Sequence, residues 1–288
     1  MLWLNGEFSL GLSKPVKTHK PPKPPEIRER RGQAFTSYGR RMVRSAAFWL
    51  EKTWGRQNLS FLTTTVPTLP NRDIGKLSAE WCEVTRRYKQ ELERELSRKG
   101  ITSEVLLVTE IQEKRFRETG LIAPHLHIVF RGRKSRYDNW AISKERAREL
   151  WENVLSAIVG YRLNAPASTR IEKIKKSVEN YLSKYMSKGG KVIEEIIADG
   201  RRHLLPTSWW GMTNTLRDTV KAGCKRIPQE MADILYDQRE NLQQAGIIRW
   251  CHIVMTEIAQ SHGEFIEIPV AFVGKFAKPE HGSMFIIE

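Results

Sequence analysis

Two apolar runs near the middle of the chain constrain its fold most. Residues 102–112, TSEVLLVTEIQ, are rich in β-branched and aliphatic side chains and read as a strand. A connection containing Gly120 and Pro124 follows, and HLHIVF at 125–130 reads as a second strand. Their spacing predicts a long-looped antiparallel hairpin. LSFLTTTVP at 59–67 is a further β-rich run, ended by Pro67. Helical patterns cover 39–55, 78–100 (closed by Gly100), 143–160 and 170–190 (stopped by Gly189 and Gly190). Strands and helices that alternate around a hairpin predict an α+β sandwich. After about residue 200 the texture changes. PTSWWGMTNTLRD reads as a loop with exposed tryptophans, a polar helix is expected around 228–245, and two β-like runs close the chain.

With 288 residues the chain can bury one large core, or a core domain and a smaller one. The charge narrows the choice of partner. Net +15 points to a polyanion, with nucleic acid first and an acidic membrane surface second. Between Lys14 and Arg56 there are 12 Lys and Arg against 3 Asp and Glu, so +9 of that charge lies near the N-terminus. KPVKTHKPPKPP at 14–25 cannot bury apolar surface, and residues 1–32 are read as a basic Pro/Lys-rich flexible tail. Arg40, Arg41 and Arg44 lie on the basic helix that follows and are candidates to grip phosphates. Cys82, Cys224 and Cys251 form no CxxC pair, which argues against a zinc ribbon or a disulfide framework and fits a reducing cytoplasm. The opening MLWLNGEFSLGLSK is interrupted by Asn5 and Glu7, and neither a signal peptide nor a membrane span is expected. No GxxxxGK[ST] phosphate loop occurs, so an attached ATPase of that kind is not expected.

His125 and His127 alternate along a strand and therefore share a face. Two imidazoles so placed can grip one divalent ion. Glu110, across the hairpin, would complete a three-ligand site with open positions, although Gln112 and Glu113 lie near enough to rival it. A nitrogen and oxygen ligand set suits Mn²⁺ or Mg²⁺ and does not exclude Zn²⁺.

VENYLSKYMSKG at 178–189 carries two tyrosines four residues apart, each followed three residues later by a lysine. On a helix, Tyr181, Lys184, Tyr185 and Lys188 fall on one stripe. A phenol is weakly nucleophilic near neutral pH, and a neighbouring ammonium favours the phenolate and steadies a phosphate.

FLTTTVP, HLHIVF and YLSKYMSK, in that order, resemble the HUH endonucleases, rolling-circle replication initiators in which two histidines flank a hydrophobic residue. The paired tyrosines look most like the two-tyrosine A-type initiators of small single-stranded DNA phages. APHLH and SWWGM are similar to the filamentous-phage gene II type group. The resemblance covers roughly 33–215 and leaves 216–288 as an accessory segment of no assigned role. It implies an antiparallel central sheet with packed helices, akin to RNA-recognition-motif folds. It also implies nicking and rejoining of single-stranded DNA at a replication origin through a 5′-phosphotyrosine. By position, His125, His127 and Glu110 would hold Mg²⁺ or Mn²⁺, and Tyr181 and Tyr185 would be nucleophiles. The protein would act in the cytoplasm of a bacterial host, with a host helicase and polymerase. An HUH transposase or relaxase would use the same residues. A reading of another class is a non-catalytic single-strand binder that stacks bases on Trp209 and Trp210, although core packing is the commoner fate of tryptophan and the favoured reading of SWWGM.

Overall fold

The computed structural model describes residues 1–12, 35–187, 190–261 and 264–286. The Pro/Lys-rich stretch at 14–25 therefore lies outside the described residues. The chain divides into two compact units, Arg28–Thr219 and Met1–Ile27 with Val220–Glu288. The first carries 37 Lys and Arg against 22 Asp and Glu, and the second 11 of each, so the whole net charge belongs to Arg28–Thr219. Among the described residues no helix is long and apolar enough to cross a membrane.

The elements run β1 (Glu7–Gly11), α1 (Ser37–Trp54), β2 (Leu59–Thr65), α2 (Asn71–Ala79), α3 (Trp81–Arg98), β3 (Val105–Ile111), α4 (Glu113–Thr119), β4 (Pro124–Arg131) and α5 (Lys144–Val159). They continue with β5 (Thr169–Lys173), α6 (Val178–Ser187), α7 (Gly190–Ala198), β6 (Trp210–Met212) and α8 (Asn214–Gly223). α9 (Gln229–Asp237), α10 (Arg239–Gln244), β7 (Ile248–Ser261) and β8 (Glu264–Phe276) close the chain. The architecture is mixed α and β with antiparallel sheets.

In the Arg28–Thr219 unit the five strands pair in the order β5-β2-β4-β3-β6, and every pairing is antiparallel. The expected hairpin is β3–β4, with α4 in its connection. β4 lies at the centre of the sheet. Alternation then sorts the side chains. Leu62, Leu107, Leu126, Ile128 and Phe130 enter one core with Trp81, Tyr88 and Leu92 of α3 and with Trp151 and Leu155 of α5. The opposite face meets α1 and α6. α1 starts at Thr36, whose hydroxyl accepts from the Gly39 amide at 3.0 Å. Gly39 lies so close to Trp210 that an added Cβ would come within 2.6 Å of the indole nitrogen. Near the other end, Trp49 and Trp54 donate to the buried carboxylate of Glu104, just before β3. These contacts fix α1 along the sheet.

Three expectations are corrected. The helix expected over 170–190 is two elements and the start of a third. Thr169–Lys173 is edge strand β5, with Ile171 opposite Leu62 of β2, and Gly190 opens α7 rather than ending a helix. The spacing of Ile171, Ile174, Val178 and Leu182 suits a helix, but pairing with β2 satisfies the backbone and overrides it. Residues 1–12 are not tail: β1 pairs with β8, and Phe8 and Leu10 are buried. For SWWGM the exposed-loop reading gives way to the core-packing one. Trp209 is buried, and Trp210–Met212 pairs with β3.

The second unit is a three-stranded antiparallel sheet in the order β1-β8-β7. Phe8, Phe272 and Phe276 pack with Leu235 of α9 and with Ile227.

Candidate active site

β4 presents His125 and His127 on the face opposite the apolar core, as alternation requires. Each ring meets a threonine of β2 in the directly opposed position. Thr63 Oγ1 lies 3.3 Å from His127 Nδ1, and Thr65 Oγ1 lies 3.4 Å from His125 Nδ1. On the other side Glu110 of β3 stands opposite His125 but bonds diagonally to His127, with Oε2 and Nε2 2.6 Å apart. Glu110 and His127 are both buried. With its proton on Nε2, His127 donates to the carboxylate and accepts the Thr63 hydroxyl at Nδ1. The pair thus fixes the ring on both sides.

α6 covers this face. Val178, Leu182 and Met186, four residues apart, are buried and seat the helix. Tyr181 and Tyr185 form the adjacent half-buried stripe. The Tyr185 ring stacks on His127, with centroids 3.5 Å apart and planes at 22°. The Tyr181 ring stands edge-on to Phe61 at 4.4 Å and lies 5.4 Å from Tyr185. Burial, together with a hydrogen bond to Tyr181 and the nearby charge of Glu110, pushes the Tyr185 phenol well above its ordinary value.

The structure brings Tyr181, Tyr185, His127, His125 and Glu110 together. Lys184 is exposed on α6, between the half-buried Tyr181 and Tyr185. Lys188 lies outside the described residues. Arg40 is exposed and Arg41 and Arg44 half-buried on α1, the helix that packs against α6. Gln112 and Glu113 line a cavity of about 610 Å³ together with Glu110 and His125, and Glu110 bonds to His127. Glu113 is exposed and pairs with Arg117 at 3.0 Å.

The donor set suits a hard or borderline divalent ion: two imidazoles and a carboxylate on adjoining strands of one face. The arrangement is closed on itself by the 2.6 Å hydrogen bond between Glu110 and His127. Among the described residues no three His, Cys, Asp or Glu surround a common point at ligating distance.

Four contributors were not read from the sequence. Thr63 and Thr65 orient the imidazoles, and their alternation in FLTTT was a signal in hand. Phe61, two residues before Thr63, underlies Tyr181. Glu51, in the last turn of α1, accepts the Val178 amide at 2.8 Å and caps the tyrosine helix. That contact joins residues 127 apart in sequence, and no local pattern announces it. Comparison with protein-family models, with curated proteins and with solved structures gives no match for this chain.

Proposed function

We propose that the protein nicks and rejoins single-stranded DNA through a tyrosine–phosphate ester, as a rolling-circle replication initiator of the HUH type. The observation that carries this reading is the stacking of Tyr185 on His127 of the central strand, with Tyr181 5.4 Å from Tyr185 and Glu110 of β3 bonded to His127. Two hydroxyls of one kind, on one helix face, are poised over groups of the sort that handle phosphate.

In the proposed step a phenolic oxygen bonds to phosphorus as the P–O3′ bond breaks. The phenol gives up its proton and the departing 3′-oxygen gains one. The product is a 5′-phosphotyrosine and a free 3′-hydroxyl. Attack by a 3′-hydroxyl reverses the step, so rejoining needs no ATP. His125, His127 and Glu110 are the residues that would hold Mg²⁺ or Mn²⁺, which would offset charge on the phosphate. Glu110 and Thr63 orient His127, and α6 holds both tyrosines over it. Two nucleophiles allow one to keep the strand while the other cuts again. The +15 confined to Arg28–Thr219, with Arg40, Arg41 and Arg44 on the helix beside α6, suits a polyanionic strand. A host helicase and polymerase in a bacterial cytoplasm would complete the replication.

The test is covalent trapping. Protein, Mn²⁺ and 3′-labelled single strands tiling its own replicon are mixed, denatured in SDS and examined for labelled protein. Wild type and each of Tyr181→Phe and Tyr185→Phe are expected to give the adduct, and the double variant none. An undiminished adduct in the double variant overturns the assignment. Tight binding without an adduct on any strand leaves a non-catalytic binder.

A further inference from the structure

A second feature lies where β5 gives way to α6. A cavity of about 220 Å³ opens there. Ligand pockets commonly span about 300–1,000 Å³, so this one suits a single ring system rather than a dinucleotide. Phe61, Ile174 and Val178 supply apolar wall, and Tyr181 borders it. Lys173, Lys175 and Lys176 also line it, and all three are exposed. Glu172, the carboxylate at this cavity, is held by Arg170 at 2.6 Å. No ion pair among the described residues uses any of the three lysines. An apolar slot rimmed by three ammonium groups matches a flat apolar ring flanked by phosphates.

We propose that this cavity takes one unpaired nucleobase, with Lys173, Lys175 and Lys176 on the phosphates to either side. The inference rests on the strand-cutting reading above and adds where the strand lies. Tyr181 is both a wall of the cavity and a candidate nucleophile, so the base belongs to a nucleotide next to the scissile phosphate. A base stacked in a duplex cannot enter such a slot, which makes the cavity a selector for single strands.

The probe is a 20-residue oligothymidylate in which single positions carry 5-iododeoxyuridine, photocrosslinked without metal and mapped by mass spectrometry. Adducts are expected on Phe61 or Tyr181, and none when the probe is annealed into a duplex. Ile174→Trp fills the slot and is expected to remove the adduct and weaken binding about 5- to 160-fold, the range for loss of one stacked base. The Lys173→Ala, Lys175→Ala, Lys176→Ala variant truncates only exposed side chains. It is expected to flatten the slope of log affinity against log salt by about 1.4, at about 0.7 for each of the two phosphates on a single strand. Adducts only elsewhere, with an unchanged slope, overturn the proposal even where Ile174→Trp fails to fold. A cavity adduct without covalent trapping would sink the nicking reading alone. Normal trapping with no cavity adduct and an unchanged salt slope would sink the cavity alone.

Discussion

The two faces of the five-stranded sheet are built from the same strands and do opposite work. Odd-numbered positions of β4 carry His125 and His127, and even-numbered ones carry Leu126, Ile128 and Phe130. Along β2, Leu62 enters the core while Phe61 and Thr63 meet the histidine and tyrosine rings. The core face is mainly apolar, with Thr109 satisfied by the Trp81 indole at 3.0 Å, and it holds the strands in register. The other face keeps a buried carboxylate, two imidazoles and two phenols under helices that are fixed mainly by side-chain contacts. A period of two thus lets one strand stabilise the fold and present chemistry within adjacent residues.

Substitution on one face should leave the other intact, and the largest effect belongs to the core. Phe130 is fully buried and paired with Val105. Phe130→Ala is expected to cost about 3–5 kcal/mol in urea unfolding, through lost transfer energy and the cavity left behind. If that loss were under about 1 kcal/mol, the core face would not be what stabilises the sheet. Glu110→Ala probes the opposite face. It strips His127 of a buried partner and is expected to cost about 1–3 kcal/mol. It should also abolish Mn²⁺-dependent trapping, whereas Phe130→Ala, assayed well below its unfolding temperature, should retain it. Equal trapping in Glu110→Ala and wild type would detach Glu110 from the chemistry.

How much of this was legible depends on the range of the signal. Alternation put His125 and His127 on one face, and β3–β4 pairing put Glu110 beside them, because register follows from two neighbouring runs. The four-residue spacing of Tyr181 and Tyr185 marked one helix face for the same local reason. β5 was hidden because Ile171 and Ile174 continue the helical spacing of Val178 and Leu182, and only the partner strand distinguishes the two states. β1 pairs with β8 across more than 250 residues of sequence, and its short apolar run carries no mark of that partner. Lys184 shows that one helical stripe can hold both covered and open positions. Spacing places it beside both tyrosines, yet the surface of the sheet decides which of the three is covered.

Glu51 tests whether the polar face depends on how α6 is held. Its carboxylate accepts the amide of Val178 at 2.8 Å and pairs with Arg56 at 2.9 Å, so α1 caps the helix that carries both tyrosines. A carboxylate at a helix N-terminus satisfies an otherwise open amide and complements the helix dipole. Glu51→Ala is expected to cost about 0.5–2 kcal/mol, the smallest of these stability effects. Its functional signature is more telling than its size. Glu51 touches neither imidazole nor phenol in the set above, so its loss acts only through the placement of α6. Trapping should slow while single-strand affinity stays close to wild type, and Glu51→Gln, which keeps an acceptor oxygen, should recover most of the rate. If Glu51→Ala slows nothing, packing of Val178, Leu182 and Met186 alone holds the tyrosines. If Glu51→Gln is as slow as Glu51→Ala, the charge at the helix N-terminus and the pairing with Arg56 matter more than the hydrogen bond.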